Sequence, residues 1–332
     1  MKRTVNVLSK LNWGTRACAV LALCATTAIA LPAQTLTTLY SFDGTDGQEP
    51  VGALVQATNG DLYGTTERGG SGINNGGTVF RITPGGTLTT LYSFCPQTNC
   101  TDGFGPKAGL VQAANGDLYG TTWGGGVNGQ GTVFKITQGG TLTTLYSFCS
   151  QTNCTDGANP AQAGLIQATN GDFYGTTDGG GAYGSYGTVF KITPGGNLTT
   201  LHRFCSQSAW PDGGLPNGLV QATNGDFYGT TLVGGNSNSG GTVFKITPSG
   251  TLTTLYSFRS RSGCTDGFGP AAALVIEILA GQLAGVSSTQ GPSVLIVQHR
   301  ACFCRLGCAA AMLSVRSQDQ RDLPRLNTGA IT

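Results

Sequence analysis

Charge is scarce in this chain: Asp, Glu, Lys and Arg make up 10% of its 332 residues, against about 25% in an ordinary soluble domain. A disordered chain would usually carry more charge and would lack the regularly spaced Leu, Val, Ile, Phe and Tyr seen here, so disorder is disfavoured. Histidine is rarer still, with His202 and His299 the only two. A zinc site built on histidine and a Ser-His-Asp arrangement both lose their central component. Gly124-Gly-Gly126 imitates a phosphate loop, but no Gly-Lys-Ser/Thr follows it and no strand-to-helix context surrounds it. The apolar stretch from Ala17 to Ala30 holds 14 residues, short of the roughly 20 needed to cross a bilayer.

That stretch belongs to an expected secretory signal peptide over residues 1–34. Lys2, Arg3, Lys10 and Arg16 form its basic front and Ala28-Ile29-Ala30 a small-x-small cleavage signal. The formal net charge is +2, but residues 31–275 hold nine Lys and Arg against thirteen Asp and Glu. Without a basic footprint there, nucleic acid is excluded as a partner, and no membrane span is expected after signal cleavage.

Glycine is what the chain has in quantity, 54 residues, and it is distributed by a repeat. Gly52-Ala-Leu-Val-Gln-Ala-Thr-Asn-Gly-Asp-Leu-Tyr-Gly-Thr-Thr66 returns with little change from Gly109, Gly164 and Gly218. Asp61, Asp117, Asp172 and Asp226 recur at spacings of 56, 55 and 54 residues, a period that belongs to propellers and solenoids. The modules are residues 52–108, 109–163, 164–217 and 218–270. Each parses into four short strands. In the second, strand one is Leu110 to Ala114, strand two Leu118 to Thr122, strand three Thr132 to Thr137 and strand four Thr141 to Phe148. Asn115-Gly116 between the first two suits a type I′ turn.

Four strands joined as a meander make one propeller blade. The expected fold is therefore all-β, a propeller-like array of four complete modules plus fragments, with an incomplete ring. In strand four Leu142, Thr144, Tyr146 and Phe148 alternate with Thr143, Leu145 and Ser147, so both faces carry apolar groups, as stacked blades require. Phe134 and Ile136, with Phe80/Ile82, Phe190/Ile192 and Phe244/Ile246, are expected to fill one inter-blade layer. The tight turns after strands one and three should gather at one end and the long connectors at the other, where binding usually resides.

The block Gly164-Leu-Ile-Gln-Ala-Thr-Asn-Gly-Asp-Phe-Tyr-Gly-Thr-Thr177, followed by Gly187-Thr-Val-Phe-Lys-Ile-Thr-Pro-Gly-Gly196 and the Leu-Thr-Thr-Leu-Tyr-Ser-Phe strand, resembles the GloVer tandem-repeat family of exported "choice-of-anchor" bacterial proteins. The resemblance covers residues 35–275. It implies a secreted or surface-attached propeller-like protein and supplies no catalytic residues. Thr35 to Phe42 reads as a lone fourth strand ahead of the first module. A further module starts at Ala271 to Val275 and then breaks off. Residues 276–332 read as a non-repeat tail, either frame-shifted or disordered, or as a short helical appendage from about Ala272 to Val286. Sequencing the locus tests the frame shift.

Among candidate chemistry, Cys95/Cys100 and Cys149/Cys154 recur at one place in successive connectors. In an exported protein they read as loop-stapling disulfides, with zinc the alternative. Cys205 faces Trp210 and Cys264 faces Arg259 at the partner position, leaving their pairing open. A second aspartate recurs before glycine at Asp46, Asp102, Asp156, Asp212 and Asp266. It serves either the turn itself, or calcium, with Asp102 and Asp156 the candidates, or, paired with the Asn-Gly-Asp carboxylate, glycoside hydrolysis. His202 replaces a strand-four tyrosine and reads as a tolerated substitution. Trp123, Tyr183, Tyr186 and Trp210 lie in connectors of Gly, Asn and Ser. They either cover the core or stack on a sugar ring or a protein partner. The resulting expectation is a secreted or cell-surface, non-enzymatic protein without a required cofactor, presenting connectors to an extracellular glycan or protein. The alternatives are a secreted carbohydrate-active enzyme on the same scaffold and a truncated, non-functional remnant.

Overall fold

The computed structural model describes residues 36–72, 74–160, 164–181, 185–235, 240–259, 267–271 and 274, and the backbone of two strands at 293–297 and 312–316. Four antiparallel sheets follow one another along the chain. The first contains β1 (Val55–Gln56), β2 (Leu62–Thr66), β3 (Thr78–Ile82) and β4 (Leu88–Ser93). The second contains β5 (Val111–Gln112), β6 (Leu118–Thr122), β7 (Thr132–Ile136) and β8 (Leu142–Ser147). In the third, β10 (Ile166–Gln167), β11 (Phe173–Gly179), β12 (Thr188–Ile192) and β13 (Leu198–Arg203) are joined by β9 (Ala158–Pro160), which pairs with the far end of β11. The fourth contains β14 (Gly214–Gln221), β15 (Phe227–Val233), β16 (Thr242–Ile246) and β17 (Leu252–Ser257). A single 3-10 turn, Thr152–Cys154, interrupts the strand pattern of the described modules.

These segments become strands because alternate side chains have somewhere to go on each face. Phe134 and Ile136 of β7, with Leu118, pack on Tyr63, Val79 and Phe94 of the first sheet. Tyr119, Val133 and Phe148 leave by the opposite face and pack on Leu165, Phe173, Phe190 and Ile192 of the third. The same scheme joins the third sheet to the fourth. Each fully buried Phe or Ile contributes roughly 1.5–3 kcal/mol, so the modules are held by cores they share. Tyr119 stacks on Phe173 at 4.1 Å and Tyr174 on Phe227 at 4.1 Å. Gly120 is needed in β6 because a Cβ there would stand 2.5 Å from Phe134 Cζ and 2.8 Å from Leu110 Cδ2.

Two expectations are corrected. Alternation along strand four fails at Leu145: Val133 pairs with Tyr146 but Phe134 with Thr144, leaving Leu145 as a bulge. Leu142 therefore faces the preceding sheet, while Leu145, Tyr146 and Phe148 face the following one. An extra residue rotates every later side chain to the other face. The bulged carbonyl is also a seat for the next module: a Cβ on Gly196 would lie 2.7 Å from Leu145 O, and Gly196 has φ +90°. Nor is the Asn-Gly corner a type I′ turn. Ala113 N donates to Asp117 O and Gly116 N to Ala113 O, both at 2.9 Å. Gly116 alone takes positive φ, +87°, the arrangement of a type I turn closed by a glycine bulge. Asn115 Oδ1 accepts from Asp117 N at 3.1 Å, and that side-chain turn holds the asparagine at negative φ.

At the margins, Phe42 meets Phe80 at 5.1 Å as Phe94 meets Phe134 at 5.2 Å. Residues 40–42 thus occupy the place of a preceding fourth strand, although no strand pairing is formed there. Leu274 packs on Tyr228, Val243 and Phe258 as Leu219 packs on the third sheet. In the tail, the backbones of β18 (Ser293–Val297) and β19 (Met312–Arg316) pair antiparallel. Apart from Leu274, which is not helical, the helix considered over 272–286 lies outside the described residues.

Candidate functional site

The two ends of the sheets differ as the meander requires. At the turn end, Asn59 Nδ2 donates to Gln138 Oε1 at 3.4 Å, joining a strand-one turn to a neighbouring strand-three turn. Here the Asn-Gly-Asp carboxylates pair with the strand-three cations: Lys135 with Asp117 at 3.7 Å, Lys191 with Asp172 at 3.8 Å and Lys245 with Asp226 at 3.5 Å. At the other end the connectors touch one another. Gly126 N donates to Cys100 O at 2.9 Å and Gly105 N to Gly76 O at 2.8 Å.

Each connector is clamped where it leaves strand four. Disulfides join Cys95 to Cys100 and Cys149 to Cys154, with Cα atoms 4.2 and 4.0 Å apart. Beside them Asp102 Oδ2 accepts from Tyr92 OH at 2.9 Å and Cys95 N at 3.1 Å. Asp156, fully buried, accepts from Tyr146 OH at 2.7 Å, Ser150 N at 2.9 Å and Gln151 N at 3.3 Å. Burial, with the carboxylate beside it, pushes the Tyr92 and Tyr146 phenols up to about 12. Tyr40 and Asp46 repeat the pair at the start of the chain. In the third module His202 Nε2 meets Asp212 Oδ2 at 2.9 Å, so the histidine stands in for the phenol. Asp266 lies outside the described residues.

These contacts assign Asp102 and Asp156 a turn-holding role. Among the described residues no three His, Cys, Asp or Glu side chains group as metal ligands. The two recurring aspartates of a module stand at opposite ends of its sheet and cannot flank one glycosidic bond.

Cys205 is buried and has no disulfide partner among the described residues, its Sγ directed at Gly213 O at 3.2 Å, and burial pushes the thiol up to about 12. Where the other modules have the second cysteine, Trp210 lies against Tyr186 with ring centroids 4.4 Å apart. Tyr183 and Cys264 lie outside the described residues. Trp123 stands apart from this pair, near Phe104 at 6.5 Å and under Lys107 Nζ at 4.6 Å. Trp123 is 39% exposed and Trp210 36%.

Three charged residues escaped the sequence reading. Lys107 Nζ pairs with Glu67 Oε1 at 3.2 Å, and its charge also acts on Asp178. Desolvation nevertheless pushes the half-buried Asp178 carboxyl up to about 6. A signal was present: the residue after the Thr-Thr of strand two is Glu67, Trp123, Asp178 and Leu232 in successive modules, a variable place inside a constant block.

No curated protein matches the chain in sequence. Solved structures with related sheet architecture include a periplasmic gluconolactonase of Pseudomonas aeruginosa, 14% identical with a TM-score of 0.43, over 83% of this chain and 70% of that one. An α-L-arabinofuranosidase of Fusarium graminearum is 12% identical with a TM-score of 0.44, over 83% and 79%. A polysaccharide lyase acting on ulvan is 11% identical with a TM-score of 0.45, over 86% and 74%. No residue role is taken from them. The profile of the Gloeobacter/Verrucomicrobia repeat matches residues 27–154 and 97–295. With the four copies of one blade-like sheet in the structure, this places the chain in the Gloeobacter/Verrucomicrobia repeat family.

Proposed function

We propose that the protein is an exported, non-enzymatic scaffold that holds an extracellular glycan or protein at the connector end of its sheets. One observation carries this reading: two tryptophan rings, Trp123 and Trp210, stand more than a third exposed at the connector end, Trp123 hydrogen-bonded to the connector that Cys95–Cys100 closes and Trp210 on the connector that His202 and Asp212 hold. A flat apolar ring on a rigid support suits sugar stacking or a protein anchor. The disulfides fit an oxidising compartment, and residues 1–34 supply the leader that export needs. Among the described residues no helix is long and apolar enough to cross a membrane.

The test is a glycan array run on the full chain beside a reducing-sugar release assay on every glycan retained. Retention without release supports the scaffold, and release overturns it in favour of a carbohydrate-active enzyme. No retention on the array, together with no saturable binding to outer-surface protein fractions, removes the binding reading altogether.

A further inference from the structure

Most charged groups in the described repeats serve the framework. The Asn-Gly-Asp carboxylates pair with strand-three cations, and the second aspartates bind a phenol or imidazole and neighbouring backbone amides. Arg68 and Glu49 form an exposed pair, and Arg203 donates to Thr155 O. Glu67, Lys107 and Asp178 fit none of these roles. Glu67 and Lys107 belong to the first module and Asp178 to the third, yet Lys107 links them and Trp123 of the second, pairing with Glu67 at 3.2 Å, lying over Trp123 at 4.6 Å and acting on Asp178 through its charge.

Glu67, Trp123 and Asp178 also hold the same place in their modules, directly after the Thr-Thr of strand two. One set of equivalent positions at the connector end therefore carries different chemistry in each copy, while the surrounding block barely changes. Among the described residues the Asp178 carboxyl has no hydrogen-bond partner, and the Lys107 charge only partly offsets its desolvation. Such a carboxyl, near the Lys107–Glu67 pair and the exposed Trp123 ring, suits a ligand hydroxyl.

Resting on the binding role proposed above, we propose that Glu67, Lys107, Trp123 and Asp178 form a composite subsite for an uncharged sugar ring. The indole offers an apolar face, the carboxylates accept from ring hydroxyls, and the ammonium donates. Two carboxyls against one ammonium leave an excess of negative charge, which disfavours a uronate or sulfated sugar.

Isothermal titration of the full chain with cellohexaose, mannohexaose and hexa-N-acetylchitohexaose, against oligogalacturonate, tests the subsite. At least one uncharged hexasaccharide should bind and oligogalacturonate should not. Trp123→Ala should weaken binding at least tenfold and Asp178→Asn at least threefold, with the turn-end variant Ser249→Ala within twofold of wild type. Should Trp123→Ala melt early, Trp123→Phe and Asp178→Asn carry the comparison. Loss of binding in Trp210→Ala with the Trp123 and Asp178 variants unaffected would overturn this subsite while leaving the connector-end function intact. Preference for oligogalacturonate, or no binding of any uncharged probe, also overturns it.

Discussion

Replacing Asp178 by Asn should make the protein more stable at pH 7.5 and leave it almost unchanged at pH 4. Asn keeps the shape of the carboxyl but cannot ionise. In the folded chain the Asp178 carboxyl is pushed from its ordinary 3.8 to about 6, chiefly by desolvation, with Lys107 pulling the other way. Between those values the folded chain holds a proton that the unfolded chain releases. Stability contributed here therefore falls as pH rises from about 4 through 6, and the penalty is complete by pH 7.5. At about 1.4 kcal/mol per pH unit the shift corresponds to an upper bound of roughly 3 kcal/mol. The group is only half-buried, so solvent screening reduces this to about 1–2 kcal/mol. For a chain of this size that is a rise in melting temperature of roughly 2–8 °C. Thermal melts of both proteins at pH 4.0 and 7.5, followed by circular dichroism, read it directly. An equal gain at both pH values, or a loss at pH 7.5, would refute the burial of an ionised carboxylate at this place. A stabilised variant that also binds sugar less well would mark Asp178 as a group kept at the expense of stability.

Two further substitutions probe the framework. Gly120→Ala should cost about 1–3 kcal/mol or more, because its methyl must displace Phe134 and Leu110 within a packed interface; a urea titration with an unchanged midpoint would count against the shared core. Asp156→Ala should cost about 2–4 kcal/mol by stranding the amides of Ser150 and Gln151 and leaving Tyr146 OH with Ser150 Oγ alone, and the loss should be the same with calcium or with chelator in the melt. Destabilisation by chelator in the wild type would instead favour a metal role for that aspartate.

Much of the fold was legible in one dimension because its information is local and repeated. The period near 55 residues, the two turn signals and the β-branched runs placed β6 and β7 almost to the residue. Connectivity alone then sent tight turns to one end and connectors to the other. Three things were invisible there. The bulge at Leu145 breaks the alternation its sequence displays, and its carbonyl meets Gly196 of the next module only once the sheets stack. The glycine-bulge turn depends on whether the Asn115 side chain bonds its own backbone, which composition does not reveal. The grouping of Glu67, Lys107, Trp123 and Asp178 spans more than a hundred residues and exists only because successive sheets stack.

From its residues alone the chain therefore settled which segments are strands, how they connect and which cysteines close the first two connectors, since all of these follow from contacts a few residues apart. Which face each strand-four side chain takes, and which charged groups meet at the connector end, required the stacked sheets, because those contacts join residues that only the shared cores bring within reach.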